Sequence, residues 1–369
     1  MNIALMLPTN WDNQLIERVA PLGPHYLYGS LPAEATLRSS LAVAEATEQQ
    51  IAAHVAAASA KRIRFIYVMN ATCLGNREFS EEGRRDILDR LQWVGEIGAA
   101  GVVTANPFLM ELLRQNFPGL ELHVSVLACV DDPRKAAWFE GLGAAVIHLD
   151  PQVNRDFRRL RAIRRAVSCR LSVVVNEGCI LSCPIRQYHA NMISHSRESI
   201  AGRYHVDYCY YKCSLFKERD PAEYLRAPWI RPEDVHIYEA LGIQLFKVGG
   251  REKMEEGPAS HTDWIAEVAA AYHVRQCDDV ARLLIGTPPV VPLFNNPVKR
   301  GRIRLNSRRL DGFLRFFQDD RCHLDCSRCD YCGRWAAGAV HVEGENEEYG
   351  RVLEAELRRI RLGSYRTTC

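Results

Sequence analysis

Short runs of apolar residues, many of them β-branched, alternate with longer segments of helical periodicity along most of the chain. A short apolar run bounded by turn residues is typical of a strand buried on both faces, whereas apolar residues three or four positions apart are typical of an amphipathic helix. The pattern predicts eight strands, at residues 3–7, 25–28, 63–69, 101–104, 122–126, 145–149, 171–175 and 243–248. It predicts helices between them, at 36–60, 81–97, 108–115, 133–142, 155–167 and 262–275.

This alternation is the rhythm of an α/β fold, a (β/α)8 TIM-like barrel, which we predict for residues 1–284. A doubly wound open sheet is the competing arrangement. The proline-rich stretch 287–292 interrupts the pattern and is interpreted as a linker. Residues 285–369 are therefore predicted to form this linker and a Cys-rich C-terminal extension that ends in a charged helix at 345–361.

Polar residues follow several of the predicted strands. In a (β/α)8 barrel the active site lies where the strands end. The seventh strand leads into Glu177 and Cys179, and the eighth leads into Arg251. An asparagine after a strand is usually a turn former or a helix cap, but several at equivalent positions beside a cysteine and an arginine favour a polar site. The asparagines are Asn10, Asn70, Asn106 and Asn176.

Eight of the thirteen cysteines fall into two groups, and the first group consists of two C-x3-C pairs. Two thiols four positions apart on a helix project from the same face, with their Cβ atoms about 5–6 Å apart. Two such pairs can supply the four thiolates that hold a 4Fe–4S cluster. Zinc and metal-free packing are the alternatives, although zinc ribbons favour C-x2-C. The pairs are Cys179 with Cys183 and Cys209 with Cys213.

The second group has the spacing C-x3-C-x2-C-x2-C and lies in the predicted extension. We interpret it as the ligand set of a second iron–sulfur cluster or of a structural zinc site. Its first three cysteines reproduce the spacing of radical S-adenosylmethionine enzymes. However, the group follows the predicted barrel, and its fourth cysteine would occupy the iron that S-adenosylmethionine needs. The ligands would be Cys322, Cys326, Cys329 and Cys332.

Composition indicates the compartment and limits the partners. The net charge of +2 argues against a protein that binds nucleic acid over its whole surface, although the arginine-rich segment 155–165 has a basic face that could contact RNA. No run approaches the roughly 18 apolar residues of a membrane span, and the first residues lack the basic and apolar regions of a signal peptide. Thirteen cysteines without such a signal predict a cytoplasmic protein.

Four motifs are similar to those of a known family: YGS at 28–30, VNEGCILSCPIR at 175–186, WIRPED at 229–234 and KVGGR at 247–251. Together with the Cys-rich tail, they resemble the peptidase U-32, or collagenase-like, family over most of the chain. The resemblance implies a barrel-like fold and a 4Fe–4S cluster on four cysteines. Several members of that family hydroxylate ubiquinone precursors, transfer RNA or ribosomal RNA without oxygen, with prephenate implicated as the oxygen donor, and others carry an old protease label.

The chain departs from the better-studied members of that family at two points. It lacks their E-x-F-x-x-G stretch before the first cysteine, and its cysteine spacing differs. The resemblance therefore implies the fold and the cluster but not the substrate.

We predict an iron–sulfur enzyme of oxygen-independent hydroxylation or a related redox modification. Arg186 and Arg251 would bind a small carboxylate substrate or oxygen donor, because a guanidinium fork matches a carboxylate. Glu177 would act as an acid or base, and Asn176 would complete the pocket. A peptidase is the second hypothesis, although no H-E-x-x-H or G-x-S-x-G motif is present. The third is a non-catalytic cluster-binding protein in a heteromeric complex, since relatives occur as heteromers.

Overall fold

A computed structural model describes residues 3–31, 45–202, 205–206, 208–251, 261–285, 290–291, 298–299, 301–344 and 346–363. Eight parallel strands close into a barrel in which each strand pairs with the next one along the chain. The last strand pairs with the first, with Met6 opposite Lys247, so the predicted (β/α)8 barrel is confirmed and the open sheet is excluded. The strands are β1 (Leu5–Pro8), β2 (Tyr26–Gly29), β3 (Arg64–Met69), β4 (Gly101–Thr104), β5 (Glu121–Val124), β6 (Ala144–His148), β7 (Arg170–Val174) and β8 (Leu245–Lys247).

Fifteen α-helices occur in the described part of the chain. They are α1 (Asn13–Val19), α2 (Glu48–Ala60), α3 (Glu81–Glu96), α4 (Pro107–Asn116), α5 (Pro133–Gly141), α6 (Phe157–Ala166), α7 (Arg186–Ser194), α8 (Ser196–Ala201), α9 (Tyr208–Arg219), α10 (Ala222–Arg226), α11 (Val235–Ala240), α12 (His261–Val274), α13 (Arg315–Gln318), α14 (Tyr331–Ala339) and α15 (Asn346–Arg361). The predicted helices are present as α2 to α6, α12 and α15, although residues 36–44 lie outside the described part. The five helices α7 to α11, between β7 and β8, were not predicted.

Alternate residues of each barrel strand face the interior or the surrounding helices. In β1, Leu5 and Leu7 pack with the helices, whereas Met6 faces inward and packs with Tyr28 and Val68. Both faces of the strand are therefore buried. This double burial explains why the strands have nearly continuous apolar sequences rather than an alternation of apolar and polar residues.

Polar caps at the strand ends start several of the outer helices. Asn106 follows β4, and its side-chain oxygen accepts hydrogen bonds from the amides of Phe108 (2.9 Å) and Leu109 (3.4 Å). Asp132 does the same at the start of α5, where it accepts from the Arg134 amide at 2.8 Å. Such a cap stabilises a helix by about 1 kcal/mol. Asn106 therefore acts as a helix cap, the simpler of its two interpretations.

The barrel interior holds a chain of polar side chains. Tyr26 donates a hydrogen bond to Glu121 Oε2 (2.9 Å), and His123 Nε2 lies 3.1 Å from the same oxygen. His123 Nδ1 in turn lies 3.3 Å from His148 Nε2. Complete burial lowers the pKa of His123 to about 4 and holds the pKa of His148 well below its usual value. Both rings are therefore neutral near pH 7.

The C-terminal extension packs directly against the barrel. Its strands β11 (Arg302–Leu305) and β12 (Val340–Glu343) form an antiparallel pair. Leu305 and Phe313 belong to the same hydrophobic core as the barrel helices. Arg231 of the barrel donates to the Ser307 carbonyl oxygen at 2.8 Å and to the Asp311 carboxylate at 2.7 Å. The extension therefore shares its core and its polar contacts with the barrel.

Little of the predicted linker falls within the described residues. Two short strands there, β9 (Val290–Val291) and β10 (Val298–Lys299), pair antiparallel. The rest of the predicted proline-rich linker, 287–289 and 292, lies outside the described residues. No helix among the residues described here has the length and apolar character needed to cross a membrane.

Candidate functional site

Asn176 holds three segments together at the C-terminal end of the barrel. It follows β7 and is wholly buried. Its Nδ2 group donates to the carbonyl oxygens of Gly249 (3.2 Å) and Leu283 (3.0 Å), and its Oδ1 atom accepts from the Gly249 amide (2.7 Å). Because both ends of the amide are engaged by backbone, Asn176 contributes to the site by fixing the loops after β7 and β8.

Two glycines allow these loops to approach each other closely. A Cβ atom at Gly178 would lie 2.3 Å from the Ile285 carbonyl oxygen, and one at Gly249 would lie 2.2 Å from Ile285 Cδ1. The Ile285 amide donates to the Asn176 carbonyl oxygen at 3.1 Å, so residue 285 cannot move away freely. A side chain at position 178 would therefore clash with backbone, whereas one at position 249 would require the Ile285 side chain to move.

Cys179 lies in a turn directly after these loop contacts. The Glu177 carboxylate accepts a hydrogen bond from the Cys179 amide at 3.0 Å and stabilises this turn. Ser182 has a left-handed backbone, with φ of 53°, so that the chain bends again before Cys183. Cys179 is exposed and Cys183 is partly buried. Glu177 thus has a structural contact, while its role as an acid or base stays a prediction.

Helix α9 brings the second pair of thiols to the same end of the barrel. Cys209 and Cys213 lie one turn apart on this helix, the first buried and the second partly buried. One turn further, the Lys217 ammonium donates to the Gly178 carbonyl oxygen. This bond ties α9 to the turn that carries Cys179.

Cys179 and Cys213 lie close enough to influence each other's charge. Desolvation by the surrounding protein, the Glu177 carboxylate and the Cys213 thiol raise the pKa of Cys179 well above its usual value, against the opposing charge of Lys217. Cys179 is an exposed residue, so the neighbouring Glu177 and Cys213 explain the raised pKa of its thiol better than burial does. Among the described residues, no three Cys, His, Asp or Glu side chains are grouped so as to hold a single metal ion.

Arg186 is paired with a buried carboxylate that the sequence interpretation missed. It begins α7, and its guanidinium donates to both carboxylate oxygens of Asp150, which follows β6 and is 4% exposed. Burial alone would lower the pKa of Arg186, but the Asp150 charge outweighs it and raises the pKa. Because its guanidinium is held by the Asp150 carboxylate, Arg186 is poorly suited to binding a substrate carboxylate. An aspartate directly after the sixth apolar run was the signal that could have revealed this pair.

Arg251 follows β8 and is 6% exposed. Its Nη1 group donates to the Ser30 hydroxyl at 2.9 Å, in the segment after β2. The preceding Gly250 has φ of 111°, and a Cβ atom there would lie 2.5 Å from the Trp264 ring. The motifs at 28–30 and 247–251 therefore meet in space, and the hydrogen bond from Arg251 to Ser30 is one of the contacts between them.

Lys247 is the last residue of β8, and sequence analysis considered it only as part of a motif. It is 7% exposed, and its ammonium lies 4.5 Å from the centre of the Tyr28 ring. Burial, and then the charge of Arg251, lower the pKa of Lys247 to about 7. The signal for this residue was a lysine inside an apolar strand, between Phe246 and Val248.

The side chains of Asn10 and Asn70 form hydrogen bonds within the protein. The Asn10 side chain accepts from the Asp12 amide at 3.3 Å and donates to the Thr262 hydroxyl at 2.8 Å. The Asn70 side chain donates to the Ser125 hydroxyl at 3.5 Å. Asn10 therefore shapes the turn that precedes α1, as residues after a strand commonly do.

The four tail cysteines lie together between α13 and the first turn of α14. Burial, with contributions from Cys322 and Cys326, raises the pKa of Cys332 to about 11. The pKa of Cys326 is raised by burial and by Cys322 and Cys329. Each thiol is thus within electrostatic reach of another member of the group, as ligands of one centre would be. Cys326 and Cys329 are exposed.

Arg155 lies buried beside these cysteines. It is 6% exposed, and the centre of its guanidinium lies 5.0 Å from the ring centres of Trp229 and Phe313. Its Nη1 group donates to the Leu225 carbonyl oxygen at 2.6 Å, whereas Nε and Nη2 have no hydrogen-bond partner among the described residues. Burial lowers the pKa of Arg155, and Cys332 is foremost among the groups that oppose this effect.

A hydroxyl, an imidazole and an amide are aligned beside β1. Thr9 Oγ1 lies 2.7 Å from His54 Nε2, and His54 Nδ1 lies 2.8 Å from the Asn13 side-chain oxygen. This is the order of nucleophile, base and orienting group in hydrolases. However, Thr9 is 3% exposed and His54 1% exposed, between the barrel wall and the helices α1 and α2. In this conformation the hydroxyl is out of reach of a substrate.

Comparison with known proteins gives three matches that bear on this site. The model of peptidase family U32 matches residues 27–281. A protein of Methanocaldococcus jannaschii described as an uncharacterized protease is 31% identical over 301 residues, which cover 80% of this chain and 82% of that protein. A solved structure described as a U32 peptidase is 24% identical, with a TM-score of 0.51, and the match covers 69% of this chain and 94% of that one.

Proposed function

Because this chain belongs to peptidase family U32, we propose that it is an iron–sulfur enzyme of oxygen-independent hydroxylation or a related redox modification. The observation that supports this most is the approach of α9 to the turn after β7, which places Cys213 near Cys179. The end of the barrel where they meet is the one that carries active sites in this fold. Thiols delivered there by two separate elements are better explained by a shared centre than by packing.

The donor set suits a 4Fe–4S cluster in kind. Four thiols are the usual protein ligands of such a cluster. Lys217 brings a positive charge to the turn, which opposes part of the rise in the pKa of Cys179. When bound, the cluster would supply electron transfer, and its ligands would be Cys179, Cys183, Cys209 and Cys213.

Residues of the barrel mouth supply the binding site for an anion. Arg251 places a positive charge there beside the amine of Lys247, and both side chains are buried. A buried guanidinium favours a carboxylate, because charge-assisted hydrogen bonds are strongest away from water. The bound molecule would be a small carboxylate substrate or oxygen donor, for which prephenate is the candidate that the family resemblance suggests. Asn176 fixes the loops around this site.

The tail cysteines would hold a second metal–thiolate centre, either an iron–sulfur cluster or zinc. Arg155 supports this part of the proposal, because a buried guanidinium without a carboxylate partner in the described residues is unfavourable on its own. Four thiolates around a metal centre carry net negative charge, which would offset the charge of Arg155. The ligands would be Cys322, Cys326, Cys329 and Cys332.

Metal analysis of anaerobically purified protein tests both centres. Iron, acid-labile sulfide and zinc would be measured together with visible and EPR spectra. About eight irons per chain would indicate two 4Fe–4S clusters, and about four with one zinc would make the tail a zinc site. The double variant Cys179→Ala/Cys183→Ala should lose about four irons, whereas Cys169→Ala, outside both groups, should lose none. Zinc without iron after anaerobic reconstitution would refute the redox function.

A peptidase is the second candidate function. The aligned Thr9, His54 and Asn13 have the order of groups found in hydrolases, and hydrolysis would require the buried Thr9 hydroxyl to become accessible. Hydrolysis of casein or gelatin by the purified protein, abolished in Thr9→Val, would support this function over redox chemistry. The third candidate, a non-catalytic partner in a heteromer, predicts a different result. Arg251→Ala with an intact cluster should then keep full function in a complex with its partner.

A further inference from the structure

Lys247 combines a position at the active-site end of the barrel with burial. In the sheet it pairs with Met6 of β1 and with Val174 of β7. Leu245, two residues earlier on the same strand, belongs to the cluster that fills the barrel interior. Because side chains alternate along a strand, the Lys247 side chain faces the interior as well. It ends at the mouth of the barrel.

The groups that face the Lys247 amine are neutral or positively charged. The Tyr28 ring lies beneath it, and Arg251 carries a second positive charge nearby. His148 and His123 are the titratable groups on the strands across the barrel that respond to the Lys247 charge. Within the described residues no carboxylate forms an ion pair with this amine. A desolvated lysine beside another cation is the setting in which enzymes keep an amine uncharged for nucleophilic attack.

We propose that Lys247 is a catalytic amine that forms an imine with the keto group of a 2-oxo acid, while Arg251 binds the carboxylate of the same molecule. The two side chains are four residues apart at the same barrel mouth, and a 2-oxo acid carries both matching groups on adjacent carbons. The inference rests on the proposed function in one respect, the carboxylate-bearing substrate or donor at this site. It adds the chemical class of that molecule and a covalent step.

The step balances without an oxidant or reductant. The neutral Lys247 amine attacks the keto carbon, a C–N bond forms, and the electron pair of the C=O π bond moves to the oxygen, which takes up a proton. The nitrogen then loses a proton, the hydroxyl group leaves as water after a second protonation, and the nitrogen lone pair forms the C=N bond. The products are the protonated imine and one water molecule, with one proton taken up overall. Arg251 remains bound to the carboxylate throughout.

Reductive trapping tests this step directly. Anaerobically purified protein would be incubated with pyruvate and sodium cyanoborohydride, whose hydride turns the imine into a secondary amine and leaves a permanent mass label. Intact mass and peptide mapping should locate one adduct on Lys247. Lactate, which has the carboxylate but no keto group, should give no adduct. Acetone, which has the keto group but no carboxylate, should label Lys247 much less than pyruvate does.

Three variants separate the amine from the binding group. Lys247→Arg keeps the charge and Lys247→Met removes it, and both should lose the adduct. Arg251→Lys should keep Lys247 reactive but reduce labelling at low pyruvate roughly tenfold, because one charge-assisted bidentate contact is weakened. Circular dichroism and thermal melting of each variant check that the fold is retained. No adduct on wild-type Lys247, or only scattered labelling of exposed lysines such as Lys61, overturns the inference.

Iron content measured on the same samples keeps the two proposals distinguishable. Iron without labelling would overturn the imine and leave the iron–sulfur function standing. Labelling without iron would overturn the iron–sulfur function and leave the imine standing, since imine formation needs no cluster.

Discussion

Replacing Lys247 by methionine removes a charge from the barrel interior while keeping most of the side-chain volume. In the folded protein, burial followed by the charge of Arg251 lowers the pKa of Lys247 from 10.5 to about 7. The folded protein therefore binds fewer protons than the unfolded chain between these two values, and the free energy of unfolding rises with pH across that window. At about 1.4 kcal/mol per pH unit, the charged amine costs about 5 kcal/mol below the folded pKa, and this cost disappears as pH approaches the unfolded pKa.

We expect Lys247→Met to be more stable than wild type at pH 6.5. The difference in the free energy of unfolding between the two proteins should be about 4 kcal/mol larger at pH 6.5 than at pH 10. Urea unfolding followed by circular dichroism, under anaerobic conditions, measures this difference, and other titrating groups cancel between the two proteins. Lys61→Met is the matched control, because Lys61 is exposed on the surface and pairs with Glu17. A difference between wild type and Lys247→Met that stays constant from pH 6.5 to pH 10 would refute the assignment of a desolvated amine.

Three further changes test the loops, the ion pair and the tail. Asn176→Ala breaks the hydrogen bonds to Gly249 in the loop after β8 and to Leu283 after α12, so the free energy of unfolding in urea should fall by about 3 kcal/mol. An unchanged value would show that these bonds are replaced by water. Asp150→Asn leaves the Arg186 guanidinium without its carboxylate and should destabilise the fold by about 3 kcal/mol, most of which the double change with Arg186→Met should recover. Arg155→Met should lower metal retention by the tail roughly tenfold in chelator competition, whereas Arg155→Lys should retain more metal than Arg155→Met. Equal retention in wild type and Arg155→Met would contradict the role of Arg155.

The strands of the barrel could be predicted because both of their faces are buried. In β3, Phe65 and Tyr67 pack toward the helices, and Ile66 and Val68 fill the interior, so the strand has no polar face to obscure it. The helices between β7 and β8 had no such signal. In α9, Cys209 and Tyr211 and several polar residues alternate without a single apolar stripe, because the helix contacts the Cys179 turn on one side and α15 on another.

The candidate site could be predicted in composition but not in the roles of its residues. Arg186 and Arg251 look alike in the sequence, yet only the fold shows that Asp150 neutralises the first of them. Segment 155–165 has the composition of a solvated basic helix. Its first residue, Arg155, precedes the Asp156 cap of α6 and turns into the core, which helical periodicity does not describe. Contacts between residues distant in sequence decide these roles, and a local pattern does not contain them.

One short helix packs against an element from each thiol group. Helix α10 packs against α9, which carries Cys213, and against α14, which carries Cys332. The outermost tail thiols, Cys326 and Cys329, are exposed, whereas Cys209 at the barrel mouth is buried. Under the proposed function, a redox partner would dock at the exposed tail thiols, and α10 contacts the elements that carry both centres. Arg155 lies against the Trp229 and Phe313 rings within electrostatic reach of Cys332, where its charge would offset the negative charge of a tail centre.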